Sequence, residues 1–183
     1  MKAVFLGRFQ PFHRGHRKVI EDYRDEFDDF CIGIGSTDEE RTEDNPLNFE
    51  ERKELIEACY PDLEIVGIDD EEKTDEGNRI WMEKVKKKTG ADIVISQNPL
   101  VRKIVEDFPG LELEEQDLHD PKIYSGTAVR RRIKSGEEWR YLVPECAEDK
   151  LGEFVERIKD SGVQYDFEPG WERKNAFYDT YEK

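Results

Sequence analysis

The chain has 183 residues, of which 36% are hydrophobic and 11% aromatic, enough for one core-forming domain or one domain with a small appendage. Its net charge of −16 works against a nucleic-acid footprint or an anionic membrane, since both need basic surface. A small anionic ligand remains open, because a pocket can be locally basic in an acidic protein.

Cys31, Cys59 and Cys146 lie far apart. They read as separate buried small hydrophobes, neither a disulfide framework nor a zinc pattern. No signal peptide is visible and no apolar run approaches membrane length, so a reducing, cytoplasmic setting is expected.

In chain order, KAVFLG (2–7) reads as a strand buried on both faces, and residues 13–27 as a helix with Val19, Ile20, Tyr23 and Phe27 on one side. DDFCIGIGS (28–36) is a second strand, followed by a polar loop (37–48) and a helix (49–60) stopped by Pro61. LEIVGI (63–68) is the third strand and leads through an acidic loop to a helix ending at Gly90. ADIVISQN (91–98) is the fourth strand, and Pro99 opens the next helix, where proline is tolerated. LELEEQDL (111–118) reads as an edge strand, and residues 125–136 as a helix capped by Ser125 and ended by Gly136. Helices over 137–143 and 144–162 complete the pattern. Strands alternating with helices predict an α/β fold, a Rossmann-like doubly wound parallel sheet with C-terminal helices. Residues 1–160 form the expected domain, and 161–183 an aromatic-rich tail that wraps the domain or meets another subunit.

Chemistry concentrates in GRFQPFHRGH (7–16), directly after the first strand. Ligands of open α/β sheets sit at the carboxyl ends of strands, and a helix N-terminus there offers N–H groups and a positive dipole end to phosphate. Gly7 permits a tight exit from the strand, and Gly15 a close approach to the helix backbone. His13 and His16, three residues apart, share one face of a helical turn, and Arg8 adds a guanidinium suited to phosphate. A P-loop is excluded by the absence of Gly-Lys-Ser/Thr, and a dinucleotide fingerprint by the glycine spacing. The histidines lack the further ligands of a zinc site. YSGTAVRRRI (124–133) supplies a second phosphate clamp, with Ser125 and Thr127 at a helix start and Arg130 about one turn on.

These two motifs resemble the HxGH and SxTxxR signatures of the nucleotidylyltransferases. Together with GIGS, NPLNFEERKELI, NRIW and NPLV, they most resemble the archaeal type of nicotinamide-nucleotide adenylyltransferase, over Lys2 to about Lys159. The resemblance implies that ATP and nicotinamide mononucleotide (NMN) are joined into NAD and pyrophosphate by direct in-line attack, with Mg²⁺ accompanying ATP. It gives catalysis to His13, His16 and Arg130. Gly7, Arg8, Phe9, Gly15, Ser125, Thr127 and Asn98 go to the ATP side. Arg52 goes to the mononucleotide phosphate, Asn78 beside the acceptor, and Trp81 onto the nicotinamide. No metal-ligating residues are expected, no nucleic acid or membrane partner, and a homo-oligomer.

The loop after the second strand departs from the family's SAQxSHT by reading STDEERTED. Gln97-Asn98 replaces a Gly-Asn pair, and His119 stands where an aromatic is usual. These departures lie on the acceptor side, where nicotinate mononucleotide, phosphopantetheine or a flavin nucleotide are the alternatives. A non-catalytic nucleotide-binding regulator is the rival of a different class.

Overall fold

The structure, a computed structural model, describes residues 1–114 and 120–162. Its elements run β1 (Lys2–Gly7), α1 (Arg14–Tyr23), β2 (Asp29–Ile34), α2 (Phe49–Glu57), β3 (Glu64–Gly67) and α3 (Asp75–Thr89), then β4 (Ile93–Ile95), α4 (Pro99–Glu106), β5 (Glu112–Glu114), α5 (Gly126–Ser135), a 3₁₀ turn (Arg140–Leu142) and α6 (Glu145–Lys159). The five strands are parallel, in the order β3-β2-β1-β4-β5.

β1 is central because it is apolar on both faces, as a strand flanked by helices on either side must be. Ala3 and Phe5 enter the core shared with α1, α2, α5 and α6. Val4 and Leu6 enter the opposite core, with Met82 and Val85 of α3 and Val101 and Val105 of α4. The doubly wound sheet expected from the sequence is thus observed. The helix expected over 137–143 shrinks to the 3₁₀ turn, because Pro144 drives Val143 into extended backbone (φ −110°, ψ 155°). Gly90 and Gly136 end their helices in the left-handed conformation, at φ 68° and 72°. His119 and the aromatic tail from residue 163 lie outside the described residues.

The cysteine expectation needs correction. Only Cys31 is a free buried thiol, while Cys59 and Cys146 form a disulfide with a Cα–Cα distance of 5.2 Å. Eighty-seven residues separate the pair, so no local spacing announced it. The antiparallel packing of α2 on α6, continued by the Lys150–Glu54 and Arg157–Glu51 ion pairs, brings the two sulfurs together. The reducing setting inferred from three separate thiols therefore loses its basis. A loop of this length gives a crosslink worth roughly 4.6 kcal/mol on the chain-entropy model. Cys146→Ser is expected to melt roughly 9–18 °C below the oxidised parent, as measured by calorimetry. Reductant should lower the parent's midpoint to that of the variant and leave the variant unchanged.

Candidate active site

Connections run outward from β1 to β2 to β3, and then return to β4 on β1's other side. This reversal opens a crevice at the carboxyl ends of β1 and β4, where α/β sheets bind ligands. Residues 8–13 leave β1 at that point and lead into α1.

His13 is the N-cap of α1, its Nδ1 accepting from the Gly15 N–H at 3.1 Å. The Nδ1 of His16 accepts in turn from the His13 N–H at 3.3 Å. This reciprocal cap satisfies helix-end amides and also fixes chemistry. An accepting Nδ1 carries no proton, so each neutral ring is an Nε2–H donor. The rings stack 3.7 Å apart. His16 lies among Phe5, Phe9 and Phe12, with ring centroids at 6.0, 4.5 and 6.0 Å.

Burial, then the charge of Arg130, holds His13 down to about 3; burial, then His13, holds His16 well below the ordinary histidine value. Both are therefore neutral donors at physiological pH. Their ring resonances in an NMR titration are expected to stay put from about pH 8 to pH 5, where an ordinary histidine shifts near 6.5. The unfolded chain takes up these two protons near 6.5 and the folded chain does not. Their contribution to stability is thus complete above about 6.5 and is lost as pH falls toward 3.

The glycines serve this arrangement. A Cβ on Gly15 would lie 2.9 Å from His13 Cε1 and 3.3 Å from Tyr124 Cβ. Gly15 thus makes room for the capping imidazole, where sequence reasoning assigned that room to a ligand. At Gly7 a Cβ would lie 3.0 Å from the Phe9 ring. Phe9 holds a left-handed backbone (φ 53°) while its side chain is buried behind His16. Such backbone costs a non-glycine residue about 1–3 kcal/mol and clusters at functional sites. Phe9, which the sequence reading gave to the ATP side, therefore supports the imidazole from the core side.

Arg130 reaches this loop from α5. It is 3% exposed, and its Nη1 donates to the Gln10 carbonyl at 2.7 Å. Nη2 lies 3.4 Å from Asp44 and 3.5 Å from Thr127 Oγ1, and the buried Nε has no partner. A buried guanidinium with donor capacity to spare suits an anion. Ser125 caps α5, accepting from the Ala128 N–H at 3.1 Å, and Thr127 is exposed. Burial, then repulsion from Arg130, lowers the Arg8 guanidinium, offset in part by Asp44, Asp70 and Glu39. Like charges thus gather around one loop of a chain whose net charge is −16.

Arg52 requires a second correction. It is fully buried and donates to the carbonyls of Asn48 (3.1 Å), Arg8 (3.0 Å), Gly35 (2.8 Å) and Ser36 (2.9 Å). Burial and the nearby Arg8 lower it to about 10, so it remains charged at neutral pH. Its donors tie the loop after β1 to the loop after β2, and the structure does not present it to a mononucleotide phosphate. Sequence reasoning missed the neighbouring hub. Glu51 is 6% exposed, receives Arg41 twice at 2.8 Å and Arg157 at 2.6 Å, and accepts from the Asn48 N–H.

Asn98 follows β4 at the same sheet edge, and its Oδ1 caps α4 through the Leu100 N–H at 2.9 Å. Asn78 and Trp81 lie one turn apart on α3. Trp81 packs beside Gly35, after β2, and its buried Nε1 has no partner. Among the described residues, no group of three or more His, Cys, Asp or Glu side chains is placed to hold a metal ion, and no helix is long and apolar enough to cross a membrane.

A family model described as cytidylyltransferase-like matches residues 4–132. The chain belongs to the cytidylyltransferase-like family. Its match to this family spans β1 through most of α5 and so includes both phosphate motifs. A nicotinamide-nucleotide adenylyltransferase of Methanococcus aeolicus is 37% identical over 79% of this chain and 84% of its own length. One from Halobacterium salinarum is 32% identical over 86% and 90%. The fold is also that of a bifunctional NMN adenylyltransferase/ADP ribose pyrophosphatase from Francisella tularensis, crystallised with AMP and a manganese ion. That match has a TM-score of 0.69 at 20% identity and covers 87% of this chain and 51% of the other. The present chain therefore spans about half of that bifunctional protein.

Proposed function

We propose that this chain transfers the adenylyl group of ATP to nicotinamide mononucleotide, forming NAD and pyrophosphate. The observation that carries the reading is the pair of neutral Nε2–H histidines at the start of α1, beside a buried Arg130 with an unpartnered Nε. The names of relatives at 32–37% identity supply the acceptor.

In this reaction a 5′-phosphate oxygen of the mononucleotide attacks the α-phosphorus of ATP. The bond to the β-phosphate bridging oxygen breaks, and its electron pair leaves with pyrophosphate. A phosphate oxygen is already a competent nucleophile, so alignment and charge stabilisation carry the catalysis. His13 and His16 donate to phosphate oxygens as charge builds. Arg130, with Arg8, Ser125 and Thr127, holds the departing pyrophosphate. Asn98 stands toward the adenosine, Asn78 beside the acceptor, and Trp81 offers an aromatic face to the cationic nicotinamide, worth about 0.5–2 kcal/mol. The divalent ion, Mg²⁺ in this proposal, is part of the substrate Mg-ATP and neutralises phosphate charge.

A cytoplasmic setting, now resting on the names of the relatives and no longer on the cysteines, and assembly with copies of itself belong to the same reading, and light scattering checks the assembly. The acidic net charge disfavours nucleic acid as a partner. The test is pyrophosphate release from Mg-ATP with each acceptor in turn, with NAD followed by chromatography. Release with NMN together with NAD formation supports the proposal. Release only with nicotinate mononucleotide, phosphopantetheine or a flavin nucleotide overturns the acceptor. ATP binding without release from any acceptor favours the regulator.

A further inference from the structure

Gln10 is 3% exposed, although it lies in the middle of the phosphate loop. Its side-chain amide clasps the main chain of Leu47 on both sides. Nε2 donates to the Leu47 carbonyl at 2.7 Å, and Oε1 accepts from the Leu47 N–H at 3.0 Å. Leu47 is itself fully buried, so these bonds satisfy main-chain groups in a place where leaving them unpaired is costly. The main-chain carbonyl of Gln10 receives Arg130 Nη1 at 2.7 Å. α5 comes close at this point. A Cβ on Gly126 would lie 2.6 Å from the Gln10 carbonyl oxygen and 3.0 Å from Arg130 Nη1. One residue thus joins the phosphate loop, the segment entering α2, and the guanidinium from α5.

We propose that Gln10 is a positioning residue for Arg130: by clasping Leu47 it fixes the peptide whose carbonyl anchors Nη1, so that Nε and Nη2 are presented to the nucleotide phosphates. The inference rests on the phosphate-binding role given to Arg130 above. Without the anchor, the guanidinium pivots toward Asp44, already 3.4 Å from Nη2, and a carboxylate replaces phosphate as its partner.

The test is a double-mutant cycle on Mg-ATP binding, read by calorimetry without acceptor. Its members are the parent, Gln10→Ala, Arg130→Lys and the double variant. Arg130→Lys keeps a charge but loses the fork, so binding stays measurable. Gln10→Ala is expected to weaken Mg-ATP about tenfold in the parent and less than about twofold in the Arg130→Lys background, because groups acting through one another are not additive. Equal losses in both backgrounds, or no loss in the parent, overturn the proposal.

Should circular dichroism show Gln10→Ala unfolded, Gln10→Met takes its place. It fills nearly the same space without the amide that clasps Leu47, and the same two outcomes decide. A parent that binds no Mg-ATP overturns the phosphate-site reading itself. A parent that binds while the cycle is additive overturns only the role of Gln10.

Discussion

His16→Ala is expected to lower turnover by about 10²- to 10⁴-fold, the range for removing a positioned donor from developing transition-state charge. The proposed mechanism gives this ring the role of that donor, and its Nδ1 is occupied by the His13 N–H, which leaves the remaining N–H at Nε2. Loss of that cap costs the helix only about 1 kcal/mol, and the loop has other fastenings. The variant should therefore keep a cooperative melt and its circular dichroism spectrum while single-turnover pyrophosphate release collapses. The effect should fall on kcat more than on the affinity for Mg-ATP, since the interaction strengthens as charge builds. A folded variant releasing pyrophosphate at close to the parental rate would reduce His16 to a helix cap.

The second large effect is on stability. Arg52→Met is expected to cost about 3 kcal/mol, roughly 1–3 kcal/mol for each buried carbonyl left short of a donor. Asn48 and Ser36 keep other amides on their carbonyls, from Arg52 and Glu39, but the carbonyls of Arg8 and Gly35 lose the guanidinium. For a chain of this size the midpoint should drop by roughly 6–12 °C, with pyrophosphate release falling as the two loops separate. Arg52→Lys should rescue little, because one ammonium cannot span carbonyls on three segments as a planar fork does. If Arg52→Lys instead keeps the parental midpoint while raising the KM for the mononucleotide alone, Arg52 is a substrate ligand and the buried-strut reading falls.

Arg52 also shows where sequence reasoning stops. An arginine on an amphipathic helix reads the same whether it faces solvent, a ligand or four main-chain carbonyls; only the approach of the loops after β1 and β2 distinguishes them. β1 was legible because a run apolar on both faces has few other homes than the centre of a parallel sheet. The histidine pair was legible because its spacing matches a helical turn and its place follows a strand. What could not be read was their hydrogen bonding. The partners of Nδ1 set the tautomer, and they appear only once the cap has formed. Gln10 and Leu47 are 37 residues apart, Cys59 and Cys146 87. Contacts at such range depend on how α2 meets the sheet and α6, which no local pattern encodes.

The central strand has a consequence for how the chain comes into being. β1 emerges before both of its neighbours, which come from Asp29–Ile34 and Ile93–Ile95. About half the chain must be made before β1 is flanked, and parallel pairing over such separations is slow because the loops must close first. Arg130 follows later still. Throughout that interval the nascent chain carries an unpaired apolar strand edge, an invitation to misassociation, relieved only in part by the mutual repulsion of its acidic segments. The strand at the centre of the sheet thus waits longest for its working partners.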